Sequence, residues 1–244
     1  YFVGTNFYDG YKIHLFKMSE DGKKLISSSD TVIHQESGSE ANKIYKINGY
    51  YYFFHSETTT GRRNVYMLRS KNIFGDGGSP GKAGTYEHKC VIHSIGDDRE
   101  PNQGGLVQTE DGSWYFVTHH GIMGLEGRPV SLLPVSWIDD WPVLGIDNNN
   151  DGIGEMVWGG TKPINGYPIK FPQSSDGFDN LTLSPQWEWN YQPRKDKWSL
   201  SERPGYLRLY AFKPLSTDNL FKAGNTISQK FMRTDYGVAT TKID

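Results

Sequence analysis

Only one cysteine, Cys90, occurs in the 244 residues. No disulfide can form within the chain, so the fold must rest on burial, and redox chemistry leaves the compartment open. Cys90 reads as an inert strand residue. No apolar stretch approaches the length that crosses a membrane as a helix. The chain opens on Tyr1-Phe-Val-Gly-Thr5 with neither an initiator Met nor a charged-then-apolar leader, which reads as a start internal to a longer protein. There is no excess of charge of one sign either: 26 basic residues stand against 28 acidic ones, with no long run of either. That balance gives no electrostatic reason to expect nucleic acid or an anionic membrane as partner and favours a nearly neutral ligand. Helical periodicity is missing as well, since no window sustains apolar residues at a 3.6-residue spacing.

Present instead are 7 Trp, 15 Tyr and 12 Phe beside 28 Gly, a mixture that suits aromatic strands joined by tight turns and also suits stacking on sugar rings. Alternation recurs in Tyr11-Lys-Ile-His-Leu-Phe-Lys-Met18, Asn64-Val-Tyr-Met-Leu-Arg69 and Tyr206-Leu-Arg-Leu-Tyr-Ala-Phe212, and predicts an all-β chain. One phrase repeats. Asn48-Gly-Tyr-Tyr-Tyr-Phe-Phe-His55 and Asp111-Gly-Ser-Trp-Tyr-Phe-Val-Thr118 each read as a two-residue turn followed by an aromatic strand, and Tyr1-Phe-Val-Gly-Thr5 fits as a third copy without its turn. The spacing, about fifty to sixty residues, is near that of four-stranded propeller blades. Three such units do not close a ring. From Gly159 through Pro172 the sequence is dense in turn residues and reads as a linker. Aromatic strands are expected to resume in Leu183-Ser-Pro-Gln-Trp-Glu-Trp-Asn190 and Gly205-Tyr-Leu-Arg-Leu-Tyr210. The remaining length is short for a sandwich of roughly a hundred residues.

Chemistry concentrates around Ser37-Gly-Ser-Glu-Ala-Asn-Lys-Ile-Tyr-Lys46, where Glu40 precedes a hairpin whose far strand is almost wholly aromatic. Taken alone, a Glu is most often a solvated surface charge. With Lys46-Ile-Asn-Gly-Tyr-Tyr-Tyr52, however, the segment closely resembles the general-acid blade of glycoside hydrolase family 43. The resemblance continues through Ser56-Glu-Thr-Thr-Thr60, Leu68-Arg-Ser-Lys71, Pro101-Asn-Gln-Gly-Gly-Leu-Val-Gln-Thr109 and Gly127-Arg-Pro-Val-Ser-Leu-Leu-Pro-Val-Ser-Trp137 with Trp141-Pro-Val143.

What the resemblance implies is a five-bladed β-propeller. Residues 1–158 would carry about three of its blades, 159–180 a linker, and 181–244 the start of a lectin-like β-sandwich. Family members hydrolyse arabinofuranosyl and xylosyl bonds with inversion, which requires an acid to protonate the leaving oxygen and a second carboxylate, about 6.5 to 9.5 Å away, to activate water. Glu40 matches the acid. The family's base Asp and pKa-tuning Asp match no position here, and Asp9, Asp21 and Asp30, in turn-like settings, do not replace them. Arg128 matches an Arg that hydrogen-bonds sugar hydroxyls, a role its fork of donors suits. Gln103 stands where relatives often carry a His bordering a central metal ion, and reads as a pocket-floor residue. Ser56 and Thr58 are candidates for the pocket lining. The expected substrates are hemicellulose-derived oligosaccharides such as arabinoxylan, xylo-oligosaccharides and arabinan, an activity that favours an extracellular or periplasmic setting over a cytoplasmic one. A non-catalytic glycan-binding propeller is the alternative, and an Asp upstream of Tyr1 would separate the two. No cofactor is required by this chemistry.

Asp147-Asn-Asn-Asn-Asp-Gly-Ile-Gly-Glu155 has the front of a calcium loop, with oxygen side chains at 147, 149 and 151 and Gly152 at the sixth place. The twelfth place is Trp158, not the closing Glu, so a hydrogen-bonded Asn/Asp turn is favoured over structural Ca²⁺. His119 and His120, adjacent on a strand, should point to opposite faces and not chelate one ion together.

Overall fold

The computed structural model describes residues 1–59, 61–94, 100–120, 128–168, 174–190, 193–214, 216–219, 222–229 and 237–243. It divides into two units, 1–161 and 162–244. Among the described residues there is no α-helix, as the missing 3.6-residue period predicts.

The first unit consists of three successive antiparallel meanders. The first is three-stranded: β1 (Phe2–Asn6), β2 (Lys12–Phe16) and β3 (Thr31–Gln35). The second has β4 (Glu40–Ile47), β5 (Tyr50–Thr59), β6 (Arg62–Ser70) and β7 (Glu87–Ile92), in that spatial order. The third has β8 (Pro101–Gln108), β9 (Trp114–His120), β10 (Val130–Ile138) and β11 (Trp141–Leu144). Cys90 lies on β7, where burial pushes its thiol up to about 12.

The near-continuous aromatic run of β5 follows from its place in the middle sheet, which is covered on both sides. Successive side chains on a strand point to opposite faces. Accordingly Tyr52 and Phe54, with Val65 and Met67 of β6, pack into a core shared with Phe116, Leu133 and Leu144 of the third sheet. Phe53 and Leu68 point the other way, into a core with Ile13, Leu15 and Ile33 of the first. A strand buried on both faces has no use for polar alternation.

The two repeated turns differ. Asn48 and Gly49 both adopt left-handed backbone, φ 50° and 82°, and Ile47 pairs directly with Tyr50, which is a two-residue hairpin. Around Asp111-Gly112, by contrast, Gln108 pairs with Trp114 across a five-residue loop. The Asp111 carboxylate accepts from the Thr109 hydroxyl at 2.7 Å and the Ser113 amide at 3.0 Å. This local Asx bonding outcompetes the tight turn the sequence predicts.

The β10–β11 hairpin turns on Asp139 and Asp140, both left-handed at φ 51° and 59°, a conformation that costs roughly 1–2 kcal/mol per non-glycine residue. Arg69 offsets it. Its Nη1 donates to the Asp139 carbonyl at 2.7 Å, and its guanidinium lies 4.2 Å from the Trp141 ring centroid and 4.7 Å from that of Tyr50. The Tyr52 hydroxyl donates to the Asp140 carbonyl. Arg69 also forks onto Glu87, but that carboxylate is more than half exposed and contributes little. Arg69→Met is expected to lower stability by on the order of 2–3 kcal/mol, read by urea unfolding. A loss no larger than the roughly 0.5 kcal/mol of an exposed ion pair would show that something else holds the turn.

In the second unit the described ladders are short: β12 (Glu188–Trp189) with β15 (Ile227–Ser228), and β13 (Trp198–Ser199) with β14 (Arg208–Leu209). The longer strands predicted over Leu183–Asn190 and Tyr206–Phe212 shrink to two residues each. Pro185 removes a donor from the first, and Pro204 and Pro214 flank the second. Here side-chain contacts supplement the ladders: the Trp187 indole donates to Asp176 at 2.8 Å, and the rings of Phe178 and Trp187 stack at 5.5 Å.

Candidate active site

Glu40 opens β4 through a bulge. It pairs with Ser56, but the next pair is Lys43 with Phe54, so Ala41 and Asn42 together face His55. Ala41 is left-handed at φ 63°. A bulge of this kind re-aims a side chain at the end of a strand, and the Glu40 carboxylate meets Nη1 of Arg63, from β6, at 2.6 Å. The preceding turn is fastened from β5 and β6. The Thr58 amide donates to the Ser37 carbonyl at 3.0 Å, Arg63 Nη1 donates to the Gly38 carbonyl at 3.4 Å, and the Thr58 side chain fills the space beside Gly38. A Cβ on Gly38 would meet the Thr58 hydroxyl at 2.7 Å.

Gln103 sits on a second bulge, between Asn102 and Gly105 on β8. It is left-handed at φ 54°, and Gly104 follows at φ 129°. Only glycine fits at 104, because a Cβ would lie 2.5 Å from the Val117 carbonyl oxygen. The Ser56 hydroxyl accepts from the Gln103 amide at 2.9 Å, and the Thr118 hydroxyl lies 2.9 Å from the Gln103 carbonyl. Ser56 is fully buried. It anchors the bulge through this bond, whereas Gln103 and Thr58 remain partly exposed.

His119, on β9, feels the charges of both Glu40 and Arg63. Neither of its ring nitrogens has a hydrogen-bond partner. Burial lowers its pKa first; the cations of Arg128, His120 and Arg63 act in the same direction and Glu40 against it. Arg128 is exposed and, like Glu40, acts on His119 through its charge. Gly127 of the motif lies outside the described residues. His120 is engaged elsewhere: its Nδ1 is 2.8 Å from the Ser131 hydroxyl, and its ring meets Trp158 edge-on at 4.9 Å. The two histidines thus serve different surroundings, as their strand positions predict.

Residues 1–142, more than half of the chain, match the sequence profile of the glycosyl hydrolases family 43. The chain belongs to this family. Residues 175–244 match the β-xylosidase C-terminal concanavalin A-like domain. A β-xylosidase from Formosa agariphila is 35% identical over 98% of this chain and 45% of its own length. A non-reducing end α-L-arabinofuranosidase from Bacteroides ovatus is 32% identical over 71% of this chain and 33% of its own. Among solved structures, a xylan β-1,4-xylosidase from Bacillus halodurans shares the fold with a TM-score of 0.68 at 23% identity, covering 93% of this chain and 45% of that one. The chain therefore spans less than half the length of these relatives.

The family 43 chain carries two further features outside the Glu40 neighbourhood. In the 147–155 loop both oxygens of Asp147 accept backbone amides, from Asp151 at 3.1 Å and Gly152 at 2.8 Å, and Asp151 accepts from Ile153 at 2.8 Å. These are the side-chain-to-backbone bonds of Asx turns. The second feature, a cluster of His34, His55, Glu57 and His88, has no short sequence motif to announce it. Its members lie on three strands, and only the packing of the first sheet against the second brings them together. Arg63 was hidden for the same reason, since its partner Glu40 is reached across the sheet.

Proposed function

We propose that this chain is part of an inverting exo-glycoside hydrolase that releases xylosyl or arabinofuranosyl residues from hemicellulose-derived oligosaccharides. Its first unit would contribute about three blades, over residues 1–158, to a five-bladed propeller. Residues 159–180 would link it to the beginning of a lectin-like β-sandwich over 181–244. The family 43 match over residues 1–142 supports the reading, together with Glu40 at a bulged strand start where its carboxylate meets Arg63 at 2.6 Å. Glu40 is assigned as the general acid. Proton delivery then requires the leaving oxygen to replace Arg63 as the partner of its carboxyl group.

Asp9 is paired with Lys12, Asp30 with His14, and Asp21 caps an exposed turn. None is offered as the base, which we assign to a part of the protein that this sequence does not include. Arg128 is assigned to the sugar hydroxyls, with Gln103 on the pocket floor, Thr58 at its edge and Ser56 supporting Gln103 from below. An Arg128→Ala variant of the intact protein is expected to lose about 10- to 100-fold in kcat/KM, the range for hydrogen bonds from a charged donor, with unchanged thermal unfolding. An unchanged kcat/KM would remove Arg128 from the site.

A further inference from the structure

Four metal-ligating side chains converge away from Glu40, on the side of the middle sheet that faces the first. His34 comes from β3, His55 and Glu57 from β5, where residues two apart share a face, and His88 from β7. Their ligand atoms all lie within 4.8 Å of one another. His34 Nε2 is 3.0 Å and His55 Nε2 3.3 Å from the same Glu57 oxygen, and His88 Nε2 is 3.9 Å from the other. The three imidazole centroids stand 4.7, 4.7 and 5.4 Å apart.

His55 provides the sharpest observation. It is fully buried, and its Nε2 makes no well-aligned hydrogen bond although a Glu57 oxygen lies 3.3 Å away. Its Nδ1 lies 3.4 Å from the Phe53 carbonyl; with the proton on Nδ1, the Nε2 lone pair would face a carboxylate that is itself almost wholly buried. In that tautomer two electron-rich groups face each other away from water, an arrangement that a cation between them relieves. A divalent ion there would satisfy all four side chains at once.

We propose that His34, His55, Glu57 and His88 form a closed site for a divalent transition metal of the zinc type. Three imidazoles and one carboxylate suit Zn²⁺ and its neighbours, whereas Ca²⁺ takes six to eight oxygens and would find only one carboxylate. Tetrahedral bonds of about 2.0–2.1 Å set donors about 3.3 Å apart, close to the 3.0 and 3.3 Å already present at Glu57. Part of the remaining contraction falls on His88, an exposed residue on the outermost strand of its sheet, where movement meets least packing. The ion would also brace the turn ahead of Glu40, because the Ser39 hydroxyl donates to Glu57 at 3.5 Å.

The test is metal uptake by the intact protein after chelator treatment, a readout independent of glycosidase activity. Co²⁺ is expected to give the visible absorption of a tetrahedral site, and Zn²⁺ to displace it. His88→Gln should weaken Co²⁺ binding at least about tenfold, and the His34→Gln/His88→Gln variant should bind one equivalent fewer than wild type while keeping its circular dichroism. His88→Gln, at the sheet edge, keeps the test valid if the double variant does not fold. Equal uptake and affinity in wild type and variants, or displacement of Co²⁺ by Ca²⁺, would overturn the proposal.

Discussion

In the intact protein, Glu40→Gln is expected to lower turnover of xylo-oligosaccharides or alkyl pentosides by about 10²- to 10⁴-fold, the span that general acid catalysis supplies. On aryl glycosides with good leaving groups the loss should stay below about tenfold, because such groups depart with little protonation. The substitution suits this purpose. Glutamine is nearly isosteric, and its amide oxygen can still accept from Arg63, so the bulge at Ala41 and the turn before it should survive. Steady-state kinetics over a series of leaving groups of graded acidity gives the slope directly. Equal losses across the series would mean that Glu40 positions substrate or holds the loop and does not deliver the proton.

The second large effect concerns the joint between the second and third sheets. Phe54 is fully buried, and its ring packs against Phe116 at 5.6 Å, with Lys43 lying over its other side at 5.0 Å. Phe54→Ala removes the ring from a site hemmed in by strands that cannot close the gap, so about 3–5 kcal/mol should be lost. For a domain of 150–250 residues that corresponds to roughly 6–20 °C in Tm. The consequence reaches the site. Phe116 also abuts Gly104, where an added Cβ would lie 2.6 Å from its ring, so a loosened Phe116 frees the bulge that carries Gln103. Thermal unfolding of the variant, with kinetics measured well below its midpoint, separates the two effects. A shift of only a degree or two would show that the sheets join elsewhere.

The fold was legible where one strand reports its own surroundings. The Asn48-Gly49 turn and the double-sided burial of Tyr52, Phe53 and Phe54 are both written into eight consecutive residues. It was less legible at Asp111, where hydroxyl and amide bonds to one carboxylate changed a two-residue turn into a five-residue loop. It was least legible around Tyr206–Leu209, where prolines nearby curtail pairing despite good alternation. The site divides in the same way. Glu40, Gln103 and Arg128 stand in recognisable local phrases. Arg63, His119 and the His34, His55, Glu57 and His88 group depend on distances across and between sheets, which no short window contains. Ser56 was found by its position next to the aromatic strand, but its hydroxyl serves the Gln103 backbone.

In the proposed inverting pentosidase, Glu40 would protonate the leaving oxygen while water attacks the opposite face. Proton NMR of the intact protein hydrolysing an aryl β-xyloside in deuterated buffer reads the stereochemistry in the first minutes, before mutarotation scrambles the product. α-Xylose is expected to appear first, with the equilibrium share of β-xylose following only later. Initial appearance of β-xylose, the signature of a covalent retaining route, would contradict inversion.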